Sequence, residues 1–132
     1  MVLSVEEVQQ LLGHVRLPQY RVCLNTIYAC GLRVSEGVEL QVAQVDSARM
    51  LLHVRQGKGS KDRCVPLSPH TLEMLRKYWA THRHPKWLFP TQDPRGNDSP
   101  ATVEGPMNVR SVQRALKAAL KESGIQKHAT VH

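Results

Sequence analysis

Long apolar runs are missing from this chain of 132 residues: no stretch approaches the roughly 20 apolar residues that a membrane-spanning helix needs. Residues 1–13 carry Glu6 and Glu7 where a secretory signal would have a basic segment. These two absences argue against a membrane protein and against an exported one. The sequence therefore predicts a cytoplasmic protein.

Cysteine is scarce and is not spaced as a ligand. The chain has 3 cysteines, Cys23, Cys30 and Cys64, and no pair has C-x-x-C spacing. An odd number without that spacing indicates neither a disulfide framework nor a zinc knuckle. We expect reduced, partly buried thiols, with Cys23 and Cys30 on one buried helix face.

Internal repeats, low-complexity tracts and a convincing linker are also missing. A chain of this length builds one modest core, so nothing divides it into separate domains.

What the chain does have is basic charge. Lys and Arg outnumber Asp and Glu by 18 to 11, for a formal charge of +7. This excess favours a polyanionic partner, although net charge alone describes a merely soluble basic protein as readily.

Helical signals occupy the first third of the chain. Ser4 and Glu7 form a capping box before an amphipathic helix, Pro18 opens a second helix, and Gly31 provides its stop. Residues 34–40 can form a third, short helix. Three apolar or β-branched runs follow at 42–46, 50–55 and 63–67, separated by turn residues, and they predict a small antiparallel sheet.

Helical periodicity then returns twice. Ser68 and Pro69 start a helix that runs through Trp79, and Asn108 caps a last helix that ends at Gly124. Between them, residues 82–106 hold prolines and glycines around one apolar anchor at 87–89, which predicts a long surface connection. The predicted fold is α+β and mainly α, with one small three-stranded antiparallel sheet.

Two cations are placed to meet one phosphate. Arg33 follows the glycine that ends the second helix, and Lys58 stands between two glycines at a predicted hairpin tip. A guanidinium can hold two non-bridging oxygens of a phosphodiester as negative charge builds during attack. A flexible lysine can reach a leaving oxygen and give it a proton. Each residue alone is weak evidence, but the pair predicts phosphoryl-transfer chemistry on nucleic acid.

Three other interpretations find less support. Residues 57–60 are not a phosphate-binding P-loop, because Leu52 stands where its first glycine is required and no serine or threonine directly follows Lys58. His128 and His132 have a spacing that could hold a metal ion on one helix face, yet no third ligand motif accompanies them. A serine or cysteine hydrolase needs a spatial arrangement that cannot be read from the sequence.

The motifs ACGLRVSE at 29–36 and GKGSKDRCVPL at 57–67 resemble, in order, the tyrosine recombinase, or phage integrase, family. Downstream, LFP at 88–90, the helix from Asn108, SGI at 123–125 and HATVH at 128–132 are similar in order to the catalytic domain of that family. The resemblance therefore covers nearly the whole chain and implies the catalytic-domain fold of these DNA breaking and rejoining enzymes.

The resemblance implies a reaction and three catalytic positions. In the family a tyrosine hydroxyl attacks a DNA phosphodiester and forms a 3′-phosphotyrosyl bond, with no metal or nucleotide cofactor. By position in the motifs, Arg33 resembles the first catalytic arginine, Lys58 the hairpin lysine that assists the leaving 5′-oxygen, and His132 the first histidine of the H-x-x-R box. Duplex DNA and further recombinase protomers on DNA are the implied partners, in a bacterial cytoplasm.

The chain departs from the family pattern at both ends. It stops before the second arginine and the nucleophilic tyrosine, and it begins at the start of the catalytic domain, without a core-binding domain. Tyr20, Tyr28 and Tyr78 are too early to be the nucleophile, and Tyr28 and Tyr78 are better explained as packing aromatics. Residues 1–132 are therefore expected to be a partial catalytic domain.

Two functional interpretations stay open. One is a fragment of a site-specific recombinase whose parent acts in DNA integration and recombination. The other is a non-catalytic DNA-binding remnant or interaction module. In both, the predicted contacts with the DNA backbone are Lys61, Arg63, Arg110 and Arg114. For Arg110 and Arg114, solvated charge on an exposed helix face is the competing explanation.

Overall fold

The computed structural model describes residues 4–54, 62–91 and 105–124. In these ranges the chain forms α-helices that pack against one another and a three-stranded antiparallel sheet, which confirms the predicted fold class. No helix in the described ranges is long and apolar enough to cross a membrane. Lys58, Lys61 and His132 lie outside the described residues.

The first helix, α1, spans Val5–Gly13 and begins at the predicted capping box. The Ser4 hydroxyl accepts the Glu7 N–H at 3.1 Å, and the Glu7 carboxylate accepts the Ser4 N–H at 3.0 Å. These bonds satisfy backbone donors that have no partner inside the helix. Leu11 and Leu12 of α1 are buried in the core.

Helix α2 spans Pro18–Cys30, and Gly31 ends it in the left-handed region at φ +66°. Helix α3 follows at Val34–Val38, two residues shorter than predicted. The two helices meet closely at Gly37, where an added Cβ would lie 2.5 Å from Ile27 Cγ1. A residue without a side chain is therefore needed for α3 to pack on α2.

The sheet consists of β1 (Val45–Asp46), β2 (Leu51–Val54) and β3 (Arg63–Pro66), in that spatial order. The first strand is shorter than the predicted 42–46, because Val42–Gln44 form a 3-10 turn. The Gln44 side chain explains the difference: it accepts the Gln41 N–H and donates to the His53 carbonyl, each at 2.8 Å. The side chain thus takes over backbone partners that a longer strand would have used.

Helix α4 spans Pro69–His82 and α5 spans Val109–Ser123, close to the predicted limits. The Ser68 hydroxyl caps α4 by accepting the Thr71 N–H, and the Asn108 side chain caps α5. Gly124 ends α5 at φ +75°. The predicted core face of α5 is buried at Val112, Leu116 and Ala119, whereas Leu120 is only partly buried.

The described part of the predicted surface connection has its apolar anchor in the core. Leu88 and Phe89 are buried, and Phe89 is 0% exposed. Two buried histidines satisfy the backbone here: His82 accepts the His84 N–H, and His84 accepts the N–H groups of two residues after it. We call residues 82–88 the histidine turn. His82, His84 and Leu88 anchor this turn in the core, whereas residues 83, 85 and 86 are exposed.

Two predictions about side-chain burial are wrong in part. Tyr78 is buried and stacks on Phe89 with ring centroids 5.7 Å apart, as expected of a packing aromatic, but Tyr28 is 37% exposed. Cys23 is buried, whereas Cys30 is only half-buried in the last turn of α2. The buried face of α2 instead consists of Val22, Cys23, Leu24, Thr26 and Ile27, so it ends before the last turn of the helix.

Candidate active site

Arg33 stands at the junction of two helices, directly after the left-handed turn at Gly31. It is the N-cap residue of α3 and has extended backbone angles. Its neighbours Leu32 and Val34 are both buried, at 7% and 6% exposure. With the chain anchored in the core on either side, the Arg33 side chain faces solvent. The sequence pattern of glycine, apolar, arginine, apolar therefore presents one cation at the surface.

Glu36 holds the backbone at Arg33. Its Oε1 accepts the Arg33 N–H at 2.7 Å, the capping geometry of a residue three positions into a helix. An acidic side chain in the first helical turn also interacts favourably with the partial positive charge there. The position of Arg33 is therefore set by a specific hydrogen bond in addition to packing.

Arg63 on β3 binds the same carboxylate with two nitrogens. Arg63 Nη1 lies 2.9 Å from Glu36 Oε2, and Arg63 Nη2 lies 3.1 Å from Oε1. Nη2 also contacts the Gly31 carbonyl at 3.5 Å. We call this set, the Arg33 backbone, Glu36, Arg63 and the Gly31 carbonyl, the Glu36 clasp. It joins the end of α2, the start of α3 and the sheet.

The clasp stays charged at neutral pH. The hydrogen bonds from Arg63 lower the pKa of Glu36, with a smaller contribution from the Arg33 N–H. The same bonds raise the pKa of Arg63. The Glu36 side chain is 9% exposed and that of Arg63 33%, so water screens this pair less than it screens a surface ion pair.

The strands that flank Lys58 are connected to the clasp. β2 and β3 pair in antiparallel register, and the described pair nearest the connection is Val54 with Arg63. Arg63 is thus both the strand residue next to the connection and the partner of Glu36. This arrangement ties the base of the segment that contains Lys58 to the helix start that presents Arg33.

The other two predicted DNA contacts lie on α5. Arg110 and Arg114 are both exposed, on the helix face opposite Val112 and Leu116. Arg114 lines a groove of about 420 Å³ beside Leu17 and Tyr20. α5 packs against α1, α2 and α3. Among the described residues the clasp joins Arg33 with Arg63, and it includes neither arginine of α5.

Glu36 lies within the motif at 29–36, which predicts no role for it. A local signal was available, because an acidic residue three positions after a helix-starting residue is a capping pattern. Its bond to Arg63 had no such signal, since the two residues are 27 positions apart. That contact depends on where the tertiary structure places β3 relative to α3.

The sequence model of the Phage integrase family matches residues 1–132, and the chain belongs to this family. It is 51% identical over 90 residues to y4qK of Sinorhizobium fredii, covering 68% of the chain and 29% of that relative. An integrase/recombinase of Escherichia coli is 31% identical over 167 residues, covering 100% of the chain and 48% of that relative. The chain thus spans less than half the length of these relatives.

The fold is also similar to that of a lambda integrase, from the crystal structure of its tetramer bound to a Holliday junction. The TM-score is 0.72 at 17% sequence identity, over 100% of the chain and 38% of the lambda integrase chain. The likeness establishes that the two share a fold.

Proposed function

We propose that this chain supplies part of the catalytic domain of a site-specific tyrosine recombinase, which binds duplex DNA and cuts and rejoins it through a 3′-phosphotyrosyl intermediate. The Glu36 clasp is the observation that carries the proposal. It fixes the backbone of one exposed arginine, Arg33, and connects it to the strands that flank Lys58. Prepositioned cations stabilise negative charge that develops on a phosphodiester during attack.

In this proposal Arg33 binds the non-bridging oxygens of the scissile phosphate, Lys58 protonates the leaving 5′-oxygen, and His132 assists at the same phosphate. The nucleophilic tyrosine, the second arginine and a core-binding domain would come from outside residues 1–132. The 29% and 48% shares of the two relatives that the chain covers support this domain division. The lambda integrase tetramer on a Holliday junction supports further protomers on DNA as partners.

The proposed backbone contacts are Lys61, Arg63, Arg110 and Arg114. Arg63 differs from the others because its guanidinium already binds Glu36 with two nitrogens. A phosphate contact through Arg63 would therefore be shared with the ion pair. If Arg63 acts mainly by holding Glu36, then Arg63→Ala should weaken DNA binding. It should, however, reduce the slope of log K against log salt by less than the value of about 1 that a full phosphate contact contributes.

Fluorescence anisotropy with a labelled duplex tests the DNA-binding part. The affinity should fall steeply between about 50 mM and about 200 mM salt, because phosphate contacts release counterions. Arg110→Ala and Arg114→Ala should each reduce the slope of log K against log salt by about 1. Lys77→Ala is the matched control, since this exposed α4 lysine pairs with Glu73 at 3.1 Å. A shallow slope, or equal effects of all three variants, contradicts the proposed interface.

A nicked duplex tests the chemistry in the complete protein. Cleavage next to a nick lets the cut end diffuse away, so the protein should remain attached to DNA on a denaturing gel. Arg33→Ala, Lys58→Ala and His132→Ala should each abolish or strongly reduce this adduct. Salt-dependent DNA binding without any adduct would favour the alternative, a non-catalytic DNA-binding module.

A further inference from the structure

The outer face of the sheet carries a line of three polar side chains that the proposed recombinase chemistry does not use. Cys64 on β3 is exposed, and its Sγ lies 3.2 Å from Nδ1 of His53 on β2. The other ring nitrogen of His53, Nε2, lies 3.5 Å from Oδ2 of Asp46 on β1. The three strands therefore place a thiol, an imidazole and a carboxylate next to one another across the sheet.

The sheet register explains why these residues meet. His53 and Cys64 are directly paired in the ladder, so their side chains lie on the same face. Asp46 pairs with Leu51, two residues before His53, which puts Asp46 on that face as well. Leu52 and Val54 are buried on the opposite face. The line thus lies on the side of the sheet away from the core.

The Asp46 carboxylate determines which ring nitrogen of His53 carries the proton. The Arg49 N–H, at 3.1 Å, is the main cause that lowers the pKa of Asp46, so Asp46 is ionised and serves as the hydrogen-bond acceptor for His53 Nε2. Arg49 Nε, 3.9 Å from Asp46, is the other charged group there. With Nε2 as the donor, His53 Nδ1 presents its lone pair to the Cys64 thiol. A nucleophile next to a base that a third group orients is the arrangement that activates a thiol.

We propose that Cys64 is a site of S-thiolation by small disulfides, activated by His53 and oriented by Asp46. His53 takes the proton of the thiol, and the thiolate attacks one sulfur of glutathione disulfide. A bond forms between Cys64 and that sulfur, the disulfide bond of the reagent breaks, and the released glutathione thiolate takes the proton from His53. One thiol is oxidised and one glutathione is formed, so no further oxidant is needed.

The other two cysteines are internal references. Cys23 is 0% exposed, and burial raises its pKa far above the usual range of a thiol. Cys30 is half-buried at the end of α2, and burial raises its pKa as well. Both features keep a thiol protonated and slow its reaction. The three cysteines are thus expected to react in the order Cys64, Cys30, Cys23.

The test is peptide mass spectrometry of the 132-residue chain during incubation with glutathione disulfide, using the chain unfolded in urea as the reference. Cys64 of the folded chain should react about tenfold faster than Cys64 of the unfolded chain. His53→Gln should remove most of this difference, and Asp46→Asn should reduce it by about threefold because the imidazole loses its orientation. His70→Gln is the matched control, because His70 is exposed on α4, and it should change the rate by less than about twofold.

Three results would overturn the proposal. The first is a folded-chain rate at Cys64 no higher than the unfolded-chain rate. The second is a rate that His53→Gln leaves unchanged, since accessibility alone would then explain the reaction. The third is modification of Cys23 together with Cys64, which would mean that the core does not separate the cysteines. Unmodified Cys23 in each variant also reports that the variant is folded.

Discussion

The Glu36 clasp and the histidine turn both bind backbone groups with side chains, but they do so with opposite chemistry. The clasp is charged and partly exposed, and it joins residues 27 positions apart. The bonds of the turn are local and are made by the buried, neutral imidazole of His82: Nε2 donates to the Leu88 carbonyl at 3.0 Å, and Nδ1 accepts the His84 N–H at 2.9 Å. Because a carbonyl can only accept, these partners assign the proton to Nε2.

This chemical difference gives the two regions different roles: the clasp belongs to the candidate active site, and the histidine turn stabilises the fold. A charged pair near the surface can orient Arg33 without the large desolvation cost of full burial. A neutral imidazole can close a buried turn without placing any charge in the core. We therefore expect the clasp to matter most for DNA and the turn to matter most for folding.

The strongest destabilisation should come from disturbing the helix that carries the clasp. Gly37→Ala would place a Cβ 2.5 Å from Ile27 Cγ1 and 2.8 Å from Ile27 Cδ1, inside the core. Such overpacking should lower the free energy of unfolding by about 3 kcal/mol, measured by urea denaturation. Gly13→Ala is the control, because its added Cβ meets nothing within 4 Å. Equal stability of the two variants would mean that α3 does not pack on α2 as described.

Removing the centre of the histidine turn should have the next largest effect. His82→Ala leaves the His84 N–H and the Leu88 carbonyl without their partner, and this should cost about 2 kcal/mol of unfolding free energy. His70→Ala, on an exposed position of α4, should cost less than about 0.5 kcal/mol. DNA binding by folded His82→Ala should be unchanged. A loss of DNA affinity in folded His82→Ala would show that the histidine turn also contributes to DNA binding, and would contradict the different roles assigned to the two regions.

A smaller change in stability is expected at the clasp itself. Glu36→Gln keeps the shape of the side chain and removes its charge, so the unfolding free energy should fall by about 1 kcal/mol, a value reduced for partial exposure. The difference should shrink as salt is added. Glu73→Gln, which breaks the exposed pair with Lys77, should cost about 0.3 kcal/mol. Identical costs for the two substitutions would show that the clasp is an ordinary surface pair.

The smallest expected effect is on the pH dependence of stability, which should differ between the two regions. Burial lowers the pKa of His82 from 6.5, so the unfolded chain binds the proton more tightly and stability should fall as the pH drops below 6.5. Arg63 lowers the pKa of Glu36 from 4.5, so its contribution is present above that pH and is lost as the pH falls through the lower folded value. The melting temperature of His82→Ala should lack the decrease that begins below pH 6.5 and keep the decrease at the lower pH where Glu36 is protonated. A single decrease shared by both proteins would contradict this assignment.

Local structure and family membership follow from the sequence alone. The bonds that start α1 at Ser4 and α5 at Asn108 join residues two or three positions apart, and the glycines at 31 and 124 end helices through their own backbone freedom. Both kinds of signal are complete within a few residues, so periodicity and capping patterns predict them. The ordered motifs around Arg33 and Lys58 likewise indicated the family without any structure.

The contacts between distant side chains depend instead on how the elements pack in three dimensions. Glu36 binds Arg63 because the fold brings the first residue of β3 beside α3, and Cys64 faces His53 and Asp46 because of the strand register. Phe89 is buried and stacks on Tyr78 of α4. Each of these contacts arises from the packing of separate elements, and a local pattern carries no information about that packing.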